Sequence, residues 1–128
     1  MKAFKVNHGT WGGYISHVDI KKGNNDDWYG SFSLALEDNY QKNRGKPDQE
    51  WVDRVHFAEV KVDQHFLNNF DAPIGIGDQI VLTGKIIQEK WKDKQSGANR
   101  SGLKIKADKK IAYMTKTESD LLKSNANE

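Results

Sequence analysis

The sequence contains no cysteine, so neither a disulfide frame nor a thiolate metal site can form. It has only two prolines and no apolar run approaching the roughly 18 residues that span a bilayer. The start, Met1-Lys2-Ala3-Phe4-Lys5-Val6, has a basic residue but no apolar stretch of the secretory kind, so a soluble, cytoplasmic protein is expected. A large excess of one charge is also missing, the formal net charge being +2. The 128 residues suit one domain able to bury its own core.

Chemistry-bearing clusters are equally scarce. His8, His17, His56 and His65 have neither the i, i+3 or i, i+4 spacing of a helical metal site nor a cysteine companion. Asp19, Asp53 and Glu59 could form a nuclease-like carboxylate cluster, but nothing in their spacing singles them out. The expectation is a chain with no catalytic residue, metal, cofactor or small-molecule substrate.

What is present is an uneven distribution of charge. From Gly84 to Lys116 ten Lys or Arg stand against three acids, whereas residues 1–83 carry nine bases and twelve acids. A basic C-terminal half fits a polyanionic partner, and equally fits a solvated face. The segment Glu50-Trp51-Val52-Asp53-Arg54-Val55-His56-Phe57 is more specific. Read as a strand of period two, it puts Trp51, Asp53, Val55 and Phe57 on one face. Aromatics beside a carboxylate suit a wet surface on which nucleic-acid bases stack. The alternative is a pair of half-buried core or interface aromatics.

Along the chain, residues 6–20 read as a strand bent at Gly12-Gly13, and residues 21–27 as a polar turn. Residues 28–37 alternate, with Phe32, Leu34 and Leu36 inward and Ser31, Ser33 and Ala35 outward. Residues 38–49 form a loop that is basic at Lys42, Arg44 and Lys46, with Tyr40 near its start. The Trp51 strand follows. From Glu59 to Phe70, the spacing of Val62, Phe66, Leu67 and Phe70 predicts a short amphipathic helix with Phe66 and Phe70 in the core. Pro73 and Gly75-Ile76-Gly77-Asp78 turn the chain. Residues 79–91 form a long strand with Gly84 placed for a bend, residues 90–102 a charged hairpin loop, and residues 103–114 a last strand. Three strands, a helix and two strands predict an all-β five-stranded Greek-key barrel of the oligonucleotide-binding (OB) type, the helix lying between strands three and four. Domain bounds of 1–114 follow, with 115–128 a polar tail, frayed or folded as one short helix.

Three stretches resemble the single-stranded DNA-binding (SSB) family. They are Ser31-Phe32-Ser33-Leu34-Ala35-Leu36, Glu50 to Glu59, and Gly77-Asp78-Gln79-Ile80-Val81-Leu82-Thr83-Gly84-Lys85 followed by Trp91-Lys92-Asp93-Lys94 and Gly97. The resemblance implies stacking sites at Tyr40, Trp51, Phe57 and Trp91. Phosphate contacts are expected from the bases around them: Lys42, Arg44, Lys46, Lys85, Lys90, Lys92, Lys94, Arg100, Lys104 and Lys106. Single-stranded DNA is then the partner, in replication or recombination. A homodimer or homotetramer follows too, because one barrel offers few stacking sites.

The chain departs from that family in places. Arg54 and His56 stand where small or aliphatic residues are usual, and must face a partner, an acid or solvent, since unpaired burial is costly. Trp11 replaces an aliphatic residue. The end, Lys123-Ser124-Asn125-Ala126-Asn127-Glu128, shows no acidic Pro-Phe tip, which leads us to expect a phage, plasmid or mobile-element version. A second reading is an OB-fold adaptor of a replication or primosome complex, binding DNA weakly and relying on Arg54 and His56.

Overall fold

The computed structural model describes residues 4–126. Its strands are β1 (Gly9–Lys22), β2 (Trp28–Glu37), β3 (Tyr40–Lys42), β4 (Glu50–Val52), β5 (Val55–Val62), β6 (Gln79–Lys92) and β7 (Asn99–Met114). Helix α1 (Gln64–Leu67) lies between β5 and β6, and α2 (Lys116–Ala126) follows β7. Five strands close a barrel in the order β1-β2-β5-β7-β6, while β3 and β4 form a separate two-stranded arm. The predicted OB-type barrel is therefore present, with α1 between its third and fourth strands. No helix among the described residues is long and apolar enough to cross a membrane.

Alternation builds the core. Phe32 and Leu34 of β2, Val60 and Val62 of β5, Ile80 and Leu82 of β6 and Ile105 and Ala107 of β7 all point inward and are buried, joined by Ile15 and Phe66. Leu36 is only partly buried. Strand β1 serves two neighbours, pairing with β6 through Gly9–Tyr14 and with β2 through Tyr14–Lys22. The bend expected at Gly12-Gly13 lies where the strand changes partner. A Cβ at Gly13 would overlap the Ala35 carbonyl oxygen of β2, so the approach admits hydrogen only. The bend expected at Gly84 coincides with a shift of the β6–β7 register between Thr83 and Gly84.

Three expectations are corrected. The helix covers Gln64–Leu67, not Glu59–Phe70: Val60 and Val62 alternate with Glu59 and Lys61, so strand period persists until the Asp63 side chain caps α1 by accepting from Phe66 N at 2.9 Å. Phe66 is buried as expected, and Phe70 packs on it and edge-on to Tyr113 at 5.1 Å. The charged loop predicted for residues 90–102 shrinks to residues 93–98. Strands β6 and β7 extend past the barrel as a hairpin, and Leu103 on that extension is exposed. Finally, residues 38–49 are not a plain loop, since Tyr40–Lys42 pairs with β4.

The C-terminal segment takes the helical alternative, and it is anchored. Lys116 N donates to Asp78 Oδ1 at 2.8 Å, and Gln79 Nε2 donates to Ser119 Oγ at 2.9 Å. Asp78 is buried and also accepts from Gly75 N and the Tyr113 hydroxyl. Burial, with the Asp78 carboxylate, pushes the Tyr113 phenol far above its ordinary pKa. We expect Gly13→Ala to cost about 2 kcal/mol or more, because its methyl must displace the β2 backbone; chemical denaturation reads the loss. Wild-type stability would show that β1 and β2 are farther apart than described.

Candidate nucleic-acid interface

On β5, inward Val60 and Val62 force Phe57, Glu59 and Lys61 onto the outer face of the barrel. The ladders place Lys61 beside Lys106 of β7, and Lys106 beside Lys85 of β6. The same outward row of β6 continues through Ile87 and Glu89 to Trp91, which pairs with Arg100. One face thus carries Phe57 and Trp91, 69% and 48% exposed, with charged residues between and beside them. Such exposure of two large aromatics on a folded barrel is what a core role would forbid.

Trp51 lies elsewhere. The strand predicted to run unbroken from Glu50 to Phe57 is interrupted at Asp53-Arg54, so Trp51 belongs to the arm and Phe57 to the barrel. Trp51 pairs with Gln41 and Tyr40 with Val52, which puts the two aromatics on opposite faces of the arm. Trp51 is 69% exposed, and Tyr40 is 40% exposed with its ring 4.8 Å from the Arg54 guanidinium carbon. The four aromatics therefore divide between two supports.

The predicted bases divide as well. Lys104 lies 2.7 Å from Glu59 and 3.0 Å from Glu89, Arg100 lies 3.5 Å from Asp93, and Lys42 lies 3.9 Å from Glu50. Among the described residues, Arg44, Lys46, Lys85, Lys90, Lys92, Lys94 and Lys106 make no ion pair. Arg44 and Lys46 sit at the tip of the arm. Lys90 and Lys92 flank Trp91 in sequence but alternate to the other side of the hairpin, and Lys94 is in its turn. That turn is held by Asp93, whose carboxylate accepts from Gln95 N at 2.8 Å. These backbone N–H groups, those of Gln95 and Ser96, keep the Asp93 pKa below the usual carboxylate value.

Sequence reasoning missed the acids that organise this surface. Glu59 and Glu89 meet Lys104 only through strand register, which no local pattern announces. Hydrogen bonding from Lys104 lowers the Glu89 pKa against some opposing burial; for Glu59, burial opposes more strongly, yet Lys104 and Ser31 still leave it low. Asp38 was not named either, although an acid was one of the three surroundings expected for Arg54 and His56, beside a partner and solvent. Arg54 Nη2 lies 2.6 Å and His56 Nε2 2.9 Å from the same Asp38 Oδ2. The backbone adds Asp38 N to Arg54 O at 2.7 Å, and Arg54 N donates to Asn39 Oδ1 at 3.2 Å. This is the joint between arm and barrel.

A profile described as the single-strand binding protein family matches residues 10–114. The chain belongs to this family. Comparison with curated protein sequences finds no significant match. Among solved structures it is similar to a Plasmodium falciparum SSB in complex with single-stranded DNA, at TM-score 0.66 and 19% identity, covering 90% of this chain and 98% of that one. It is also similar to a small single-stranded DNA-binding protein from Streptomyces coelicolor, at TM-score 0.55 and 17% identity, covering 88% and 95% respectively. At those identities the likeness is one of fold.

In this member of the single-strand binding protein family the Asp38 joint has a definite pH dependence. Hydrogen bonds from His56 and then Arg54 hold the Asp38 carboxyl below its ordinary pKa of 3.8. A depressed folded pKa means that what ionisation of Asp38 contributes is complete above the ordinary carboxylate value and is lost as pH falls through the folded one. Carboxyl-carbon NMR should give Asp38 a midpoint below the ordinary value, and Arg54→Ala or His56→Ala should raise it. An ordinary midpoint in the unaltered protein would mean that the joint is open in solution.

Proposed function

We infer that this chain binds single-stranded DNA without sequence preference and without catalysis. Bases stack on Phe57 and Trp91 of the barrel face and on Trp51 and Tyr40 of the arm. Phosphates are held by the unpaired bases, chiefly Lys85 and Lys106 at one end of the face, Arg44 and Lys46 at the arm tip, and Lys90, Lys92 and Lys94 on the hairpin. The observation that carries this reading is the outward row on β5, β7 and β6, where exposed aromatics and uncompensated lysines share one surface of a barrel in the single-strand binding protein family. Stacking on an aromatic is worth about 1–3 kcal/mol per base and tolerates any sequence, whereas lysine–phosphate contacts make affinity fall with salt.

The adaptor reading is not favoured. It depends on Arg54 and His56 meeting another protein, and both are engaged by Asp38 within the chain. A homodimer or homotetramer still follows from the small number of stacking side chains per barrel, and native mass spectrometry should find an even number of chains. A lone monomer at working concentrations would contradict that.

Titration with a mixed-sequence single-stranded oligonucleotide should quench tryptophan fluorescence strongly at low salt and progressively less as salt rises. Trp51→Ala and Trp91→Ala should each weaken binding about tenfold. Full affinity in both variants would remove these side chains from the contact surface, and absence of quenching at low salt would end the DNA-binding reading.

A further inference from the structure

The middle of the outer face is a closed set of charges. Lys104 Nζ stands 2.7 Å from Glu59 Oε2 and 3.0 Å from Glu89 Oε2, while Lys61 Nζ stands 3.2 Å from Glu89 Oε1. Two cations and two carboxylates make a neutral group. Only 17% of the Lys104 side chain is exposed. The ammonium also lies 5.3 Å from the centre of the Trp91 ring. Gly102, the diagonal cross-strand neighbour of Trp91, gives the indole a surface to lie on, since a Cβ there would touch Cη2 at 3.4 Å.

We propose that Lys104 is a positioning residue, which sets the Trp91 indole for stacking and makes no phosphate contact of its own. The proposal rests on the single-stranded DNA-binding reading. A lysine ammonium has three donors, and here two are taken by carboxylates while its charge faces an aromatic ring. To reach a phosphate it would surrender two charge-assisted hydrogen bonds and leave two carboxylates bare on the side from which the polyanion approaches. Left in place, the neutral set neutralises no phosphate and displaces none of the cations condensed on the DNA, so Lys104 adds nothing to the salt dependence. Lys106, one step along the same row of β7, has no such partner among the described residues.

The test is a salt titration of a thymidine oligonucleotide, combined with a double-mutant cycle. Glu59→Gln/Lys104→Met, which removes one charge of each sign and keeps the Lys61–Glu89 pair, should weaken binding about fivefold at every salt concentration and leave the slope of log K against log salt unchanged, while Lys106→Gln should flatten that slope by about 0.7. In a Trp91→Ala background the same charge-balanced pair of changes should have no further effect, because the influence of Lys104 passes through the indole. Lys104→Met alone bares Glu59 and should weaken binding further than the charge-balanced pair, and Lys104→Arg, which keeps the charge, should keep most of the affinity should the pair fold poorly. A slope that flattens by about 0.7 on loss of Lys104 would overturn the proposal by making it a phosphate ligand. An effect undiminished without Trp91, or no effect at all, would overturn it too. Failure of the unaltered protein to bind the oligonucleotide would instead bring down the DNA-binding reading, and this proposal with it.

Discussion

The close approach of β1 to β2 at Gly13 is the constraint on which the rest depends. The five-stranded barrel closes because β1 meets β6 with its first half and β2 with its second, bending where its glycines replace side chains with hydrogen. Closure gives the barrel an inside. Once Phe32, Leu34, Val60, Leu82 and Ile105 fill it, every alternate residue of β5, β6 and β7 is committed to the outside. The exposed positions of Phe57 and Trp91 are thus consequences of core packing elsewhere. Losing closure would remove the distinction between the two faces.

Charge organises the surface that closure creates. Some bases are compensated within the chain and others are not. The paired ones include Lys104 beside Trp91, Arg54 and His56 on Asp38, Arg100 on Asp93 near the hairpin turn, and Lys42 on Glu50 within the arm. Of the predicted phosphate contacts that are unpaired among the described residues, Lys85 and Lys106 lie at one end of the row, Arg44 and Lys46 at the arm tip, and Lys90, Lys92 and Lys94 on the hairpin. Surface ion pairs contribute little stability each. Two of these paired cations also stand against aromatic rings, Lys104 at 5.3 Å from the centre of Trp91 and Arg54 at 4.8 Å from that of Tyr40.

Much of the barrel was legible in the sequence because period-two alternation records burial directly. The β2 range was read to the residue, and glycine positions in β1 and β6 marked a change of partner and a register shift. The helix was overextended because Val62, Phe66 and Phe70 happen to fall four apart, while the alternation of Glu59, Val60, Lys61 and Val62 carries the strand four residues into that range. The unbroken Trp51–Phe57 strand was wrong for a related reason. Alternation continues through Asp53-Arg54, but the backbone there bonds to Asp38 and Asn39 and leaves the ladder.

By itself the sequence determined the strand pattern, the fold class and which residue types could stack or carry charge, since these depend on neighbours along the chain. Tertiary structure alone decided which aromatics share a support and which lysines are free. Trp51 and Tyr40 became opposite faces of an arm, and Lys104 became the partner of Glu59 and Glu89, residues 45 and 15 positions away in sequence. The physical reason is register: side chains meet across strands according to which backbone hydrogen bonds form, and that is settled only when the barrel closes.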